Sequence, residues 1–153
     1  MEIYRDFKEL FESFNVQKVE YVVVGGYALA HHGAPRYTRD IDLYVHPSKD
    51  NAQRVMAALH AFGFNPSDLS PEDFEKPELV IQLGRPPDRV FLFTSIAGVS
   101  WEQAAAGASP GDYGGTPVPF IGRAELIASK KATGRLQDLA DAERLEGPPG
   151  EEA

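Results

Sequence analysis

The sequence predicts an α/β (α+β) domain, a small mixed β-sheet flanked by helices. Short β-branched and aromatic runs such as "EYVVV" and "RVFLF" alternate with stretches of helical periodicity. Serines stand at helix starts and glycines at helix ends, so the two kinds of segment are clearly punctuated. No repeat and no internal linker divides the 153 residues, a length suited to one domain. The domain is expected over residues 1–146. Residues 147–153, "GPPGEEA", read as a disordered tail rich in Pro, Gly and Glu.

The elements follow in order. "YRDFKELFESF" places Phe7, Leu10, Phe11 and Phe14 at helical spacing and predicts an amphipathic helix. "VEYVVVGG" is a β-branched run ended by glycines and reads as a buried strand. "YALAHHG" reads as a short helix stopped by Gly33, and "RDIDLYV" as a second strand. "SKDNAQRVMAALHAFGF" is the clearest helix, with Val55, Leu59 and Phe62 on one face, Met56 beside them and Gly63 at its C-terminal end. In "SPEDF", Ser70 is the N-cap and Pro71 the first helical residue. "ELVIQLG" and "RVFLFTSI" are two further strands joined by a turn at "RPPD". Ser100 and Gln103 stand in capping-box positions in "SWEQAAAG". "GTPVPFIG" is extended, and its two prolines assign it to an edge or a loop. "RAELIASKKATG" and "LQDLADAERL" are the closing helices.

Composition narrows the function classes. A hydrophobic share of 42% and a charged share of 25% are those of an ordinary globular protein. With no cysteine, disulfides and thiolate metal sites are excluded. No apolar run approaches the roughly 20 residues of a membrane span. The charged N-terminus "MEIYRDFKELF" is not a signal peptide, so a cytoplasmic location is expected. A net charge of −8 argues against non-specific binding to nucleic-acid backbones and leaves room for a local basic groove.

The chemistry concentrates in "VVVGGYALAHHGAPRYTRDIDLYV", residues Val22–Val45. Side chains alternate along a strand, so Asp40 and Asp42 share one face while Ile41 and Leu43 share the other. Two such carboxylates repel by roughly 0.6 kcal/mol in water and roughly 2.4 kcal/mol at an effective dielectric of 20. The second figure is a real cost in a cleft unless a cation lies between them, and oxygen ligands suit Mg²⁺ or Mn²⁺. A solvent-facing strand also produces an isolated Asp-x-Asp. Gly25 and Gly26 shift the weighting, because they end a strand and open a helix where a ligand can come close to backbone N–H groups. Neither a P-loop nor a Gly-x-Gly-x-x-Gly fingerprint is present. With Arg36, Thr38 and Arg39 between the glycines and the aspartates, the stretch reads as a phosphate-plus-metal site.

This stretch resembles the nucleotidyltransferase superfamily signature of hydrophobic strand, Gly-Gly or Gly-Ser, short helix and Asp-x-Asp. "LIASKKATGRLQDLADAERL" resembles the C-terminal Lys…Gly-Arg…Asp-Leu…Asp segment of the minimal and abortive-infection (type IV) toxin nucleotidyltransferases of bacteria. The resemblance spans roughly residues 18–145. It implies that Gly25 and Gly26 contact the triphosphate of an NTP and that Asp40 and Asp42 hold Mg²⁺ (or Mn²⁺) and are the catalytic carboxylates. Arg36 and Thr38 would flank the nucleotide, and Lys130 or Lys131 would approach its phosphates. The implied activity is transfer of a nucleoside monophosphate to a hydroxyl on a protein, an RNA end or a small molecule, with an antitoxin as a further partner.

The sequence departs from the family at one place. Family members carry a third carboxylate on a later strand, and Phe91 stands there. Asp88 lies three residues away, so strand parity puts it on the opposite face, and it falls in the preceding turn. A phenyl ring neither takes a proton nor binds Mg²⁺. A catalytically impaired nucleotide-binding or partner-binding module on the same fold is therefore the alternative to an enzyme.

Other candidates have plainer explanations. His31 and His32 are adjacent on a short helix, face different ways and read as structural, with an indirect contact to phosphate as the alternative. Trp101 follows a capping serine and reads as core more than as a stacking platform. Outside the family context, Lys130 and Lys131 would be solvated helix charges. Asp138 and Asp141 share a helix face and are expected to pair with Lys or Arg.

Overall fold

The computed structural model describes residues 5–65, 68–84 and 88–147. Residues 85–87 of the expected "RPPD" turn and residues 148–153 of the expected tail lie outside the described residues. The helices are α1 (Arg5–Val16), α2 (Gly25–His31), α3 (Lys49–Phe62), α4 (Trp101–Ala106), α5 (Arg123–Thr133) and α6 (Leu136–Glu146), with a 3₁₀ turn at Pro71–Glu75. The strands are β1 (Tyr21–Val24), β2 (Ile41–Val45), β3 (Val80–Leu83), β4 (Val90–Phe93), β5 (Ser109–Tyr113) and β6 (Thr116–Phe120). They form one mixed sheet in the order β3-β4-β2-β1-β6-β5. β1 runs antiparallel to β2 and parallel to β6, while β2 and β4 are parallel.

All four residues of β1 are buried, because helices cover both faces of the centre of the sheet. This explains why "YVVV" shows no polar alternation. On one side, Phe7, Leu10, Phe11 and Phe14 of α1 are all buried, as their spacing predicts. Phe11 stacks on Tyr21 of β1 at 6.2 Å between ring centroids, and Phe14 meets it edge-on at 5.4 Å. Each such buried aromatic contributes about 2–3 kcal/mol by leaving water. Tyr21 and Val23 therefore define the α1 face. By alternation Val22 and Val24 define the other, and their register partners on β2 are Tyr44 and Asp42.

α3 starts at Ser48, whose hydroxyl accepts from the Asn51 amide, and ends at Gly63 in the left-handed region with φ 107°. Val55 and Leu59 are fully buried, whereas Phe62 at the end of the same stripe is only partly covered. The side chain of Asn51 is also fully buried and fully paired. Its Oδ1 accepts from the Glu20 amide at 2.7 Å, and its Nδ2 donates to the carbonyls of Glu20 and His46 at 2.9 and 3.0 Å. These three bonds fix the start of α3 to the ends of β1 and β2.

Both expected caps form. Ser70 and Asp73 make a capping box at the 3₁₀ turn, and Ser100 and Gln103 make one at α4. The assignment of "GTPVPFIG" to an edge is corrected: β6 lies between β1 and β5. The prolines are tolerated because the described ladder from β6 to β1 is reached only at Phe120, past Pro117 and Pro119. The edge on that side is β5, "SPGDY", a strand that propensity does not suggest and that its pairing with β6 imposes. Among the described residues no helix is long and apolar enough to cross a membrane.

Candidate functional site

β1 runs directly into α2, and the junction is Gly25. Its φ is +71°, a backbone conformation that suits glycine. A Cβ there would stand 2.0 Å from Oδ2 of Asp42, so the backbone and the carboxylate are already in close contact. A Cβ on Gly26 would stand 2.6 Å from Cγ2 of Thr38. The two glycines thus abut two residues that the sequence singles out, each for want of a side chain.

Thr38 in turn orders the approach to β2. Its hydroxyl accepts from the Asp40 amide at 3.2 Å, a local turn that ends one residue before the strand. Asp42 follows on β2, one full alternation beyond Asp40. Burial pushes Asp42 up to a pKa of about 6, and the Asp40 charge adds to the shift. Lys130, Arg36 and Arg89 pull the other way without cancelling it. Burial therefore outweighs the nearby cations at Asp42.

These residues line a cleft of about 590 Å³ that also receives Arg36, Lys130, Arg135 and Asp138. Gly25, Gly26, Arg36, Thr38, Asp40, Asp42 and Lys130 are brought together there; Lys131 is not a lining residue. The Lys131 amine pairs with Glu146 at 3.0 Å, and both side chains are about half exposed. Lys130 donates to Asp138 and Asp141 at 3.1 Å each. Asp141 is fully buried and also faces Arg36 at 3.4 Å, while Gln137 donates to it at 3.1 Å. Burial opposes the ionisation of Asp138, but hydrogen bonds from Thr133 and Lys130 and the charges of Lys130 and Arg135 hold it below the usual carboxylate range. As their shared helix face suggests, Asp138 and Asp141 are partners of cations. Through Arg36 and the bond from Arg144 to the Pro35 carbonyl at 3.1 Å, α6 also steadies the loop that leads to Thr38.

The far wall is β4. Asp42 and Phe91 are register partners in the parallel β2–β4 ladder, so the ring lies beside the carboxylate on the same face. Asp88 is held by Arg39, whose Nε donates to it at 3.0 Å. Sequence reasoning missed Arg89. Its Nε and Nη2 donate to Oδ1 and Oδ2 of Asp40 at 3.2 and 3.1 Å. The signal was available, since Arg89 is two residues from Phe91 and by alternation shares its face.

Asp40 and Asp42 are the carboxylates expected to hold a cation, and both line the cleft, with Arg89 spanning the two oxygens of Asp40. Among the described residues no group of three or more His, Cys, Asp or Glu could hold a metal ion. The histidines are structural. His31 stacks on Phe120 at 4.2 Å and shares a 2.9 Å hydrogen bond with Ser109, and His32 donates to the Ile121 carbonyl at 2.6 Å. Trp101 stacks on His46 and meets Tyr44 edge-on, away from the cleft.

A six-stranded mixed sheet flanked by helices, with Gly-Gly and Asp-x-Asp meeting at one corner, defines a nucleotidyltransferase-like domain. The chain matches the family described as nucleotidyl transferase AbiEii toxin, type IV TA system, over residues 9–130, and it belongs to that family. No curated protein matches it. The family match ends at Lys130, so α6 with Asp138 and Asp141 lies beyond it.

Proposed function

We propose that the protein is a metal-dependent nucleotidyltransferase that moves a nucleoside monophosphate from an NTP to a hydroxyl acceptor on a protein, an RNA end or a small molecule. The observation that carries this reading is the corner where Gly25, Gly26, Thr38, Asp40 and Asp42 meet in one cleft. Two carboxylates suit Mg²⁺ or Mn²⁺, which take their remaining ligands from substrate phosphates and water. The raised pKa of Asp42 supports the fit, because a bound cation would favour its ionised form. When bound, the ion supplies neutralisation of phosphate charge.

Gly25 and Gly26 let the triphosphate come close to the backbone, and Arg36 and Lys130 place positive charge beside it. The acceptor oxygen attacks the α-phosphorus. The bond from that phosphorus to the α–β bridging oxygen breaks, and pyrophosphate leaves with the electron pair. Phe91 offers no base beside Asp42, so the acceptor proton passes to water. A type IV toxin family also suggests an antitoxin partner, and a cytoplasmic setting suits that role.

The test is incubation with labelled NTPs, Mg²⁺ and cell extract. Labelled product that disappears in the Asp40→Ala/Asp42→Ala variant is expected. No product, or product that survives the double substitution, counts against the reading. The Asp42–Phe91 register favours a second reading, a nucleotide-binding or partner-binding module with impaired catalysis. Calorimetry with NTP·Mg²⁺ separates them, since binding without turnover selects the second.

A further inference from the structure

We propose that Arg89 occupies the cation position at Asp40 in the free protein, steadied by Phe91, so that the site accepts a preformed metal–nucleotide complex in preference to free metal. This inference rests on the nucleotidyltransferase reading above. The guanidinium spans both oxygens of Asp40, with Nε to Oδ1 at 3.2 Å and Nη2 to Oδ2 at 3.1 Å. A two-point fork of this kind uses the lone pairs that a hard cation would take. Its Cζ lies 5.3 Å from the centroid of the Phe91 ring, within the range of a cation–π contact. The Arg89 carbonyl accepts from the Ile41 amide at 3.0 Å, so the backbone that carries the guanidinium is tied to the strand that carries the aspartates.

Phe91 thereby acquires a positive role. A carboxylate at that position would offer the guanidinium a second anionic partner; the ring offers it a support and leaves Asp40 as its acceptor. The pair is accessible, with side-chain exposures of 34% for Arg89 and 29% for Asp40, so an incoming ligand can displace it. A free divalent ion must dislodge Arg89 and repels it. A metal–nucleotide complex brings phosphate oxygens that accept the released guanidinium, so the exchange leaves no charge unpaired.

The experiment titrates Mn²⁺ alone into wild type and Arg89→Met, following the free-ion signal by electron paramagnetic resonance, with near-UV circular dichroism to confirm the fold. Arg89→Met should bind Mn²⁺ about five- to tenfold more tightly. The gain should vanish in Arg89→Met/Asp40→Asn. Phe91→Leu, which keeps Arg89 and removes the ring, should give a smaller gain. Binding of Mn²⁺ with a non-hydrolysable NTP analogue should weaken in Arg89→Met. Unchanged or weaker Mn²⁺ binding by both Arg89→Met and Phe91→Leu overturns the inference. If wild type still binds the metal–analogue complex in that case, the inference alone falls. If neither protein binds either probe, the nucleotidyltransferase reading falls with it.

Discussion

Asp42 on β2 and Phe91 on β4 are register partners in a parallel ladder, so a phenyl ring stands on the same face of the sheet beside a carboxylate that lines the cleft. A phenyl ring gives Asp42 no hydrogen bond. Burial and the Asp40 charge then raise the Asp42 pKa to about 6, against an unfolded value near about 3.9.

That shift makes a prediction about stability against pH. The folded protein binds a proton at Asp42 that the unfolded chain has released, so stability falls as pH rises from about 4 to about 6. Below the unfolded value both states are protonated and the stabilisation is fully present; above about 6 it is lost. Two pKa units correspond to about 3 kcal/mol. Asp42→Asn should therefore be more stable than wild type by about 2 kcal/mol at pH 8, with the difference closing by pH 4. Urea denaturation at both pH values checks this, and an equal difference at both would remove Asp42 as the cause.

The close contact at Gly26 gives a paired test. Gly26→Ala drives a Cβ into Cγ2 of Thr38 at 2.6 Å, which should destabilise by about 1–3 kcal/mol. Thr38→Ser deletes that Cγ2 and keeps the hydroxyl that accepts from the Asp40 amide. In the double variant the nearest Thr38-derived atom would be the Cβ at 3.0 Å, so most of the loss should be recovered. Thermal melts of the two singles and the double form the cycle. Additive effects would show that the contact is not the source of the strain.

Lys130 and Lys131 are neighbours in sequence with different roles in the fold. Lys130 stands between Asp138 and the fully buried Asp141, with its own side chain 11% exposed. Lys130→Met leaves Asp141 with Arg36 as its one cation among the described residues and should destabilise by about 3 kcal/mol. Lys131→Met breaks an exposed pair with Glu146 and should cost less than about 1 kcal/mol. Equilibrium unfolding in urea distinguishes them. A small loss in Lys130→Met would mean that the buried carboxylate takes up a proton or finds another partner.

The parts of this structure legible in the sequence are those set by local chemistry. The α1 stripe of Phe7, Leu10, Phe11 and Phe14, the Ser100–Gln103 box and the Gly63 terminus follow from periodicity and capping. Strand alternation predicts a shared face for Asp40 and Asp42, and both line the cleft although Asp40 stands one residue before β2; the position of Phe91 is read from the family resemblance, and the β2–β4 register sets it beside Asp42. What escaped depends on partners distant in sequence. β5 exists because β6 supplies its ladder, and no property of Ser-Pro-Gly-Asp-Tyr announces a strand. The place of β6 inside the sheet depends on β1 reaching only Phe120. Arg89 was hidden because its role lies in a bond to Asp40, 49 residues away in the chain. Which of two adjacent lysines enters the cleft was likewise settled by α6, which supplies Asp138 and Asp141 to one and Glu146 to the other.

Phe91→Asp tests the surroundings of Asp42 most directly. The register carries the new carboxylate to the side of Asp42, on the same face. In the metal-free protein three acidic groups would then crowd one face of the sheet. Each raises the others' pKa, so the variant should be less stable than wild type at pH 8. Mg²⁺ should restore much of that loss, because an ion that binds only the folded state stabilises it by mass action. A third carboxylate can also accept the acceptor hydroxyl's proton, and general-base catalysis of this kind is worth about 10²–10⁴ in rate. Nucleotidyl transfer should therefore rise in Phe91→Asp and not in Phe91→Asn, which has similar shape and no basic oxygen at neutral pH. Rates with labelled NTP, measured beside melting temperatures with and without Mg²⁺, read both effects. A rise in melting temperature with Mg²⁺ and no rise in rate would place the missing proton acceptor elsewhere than on β4. No response to Mg²⁺ in either measurement would argue that the Asp40–Asp42 face does not take a metal at all.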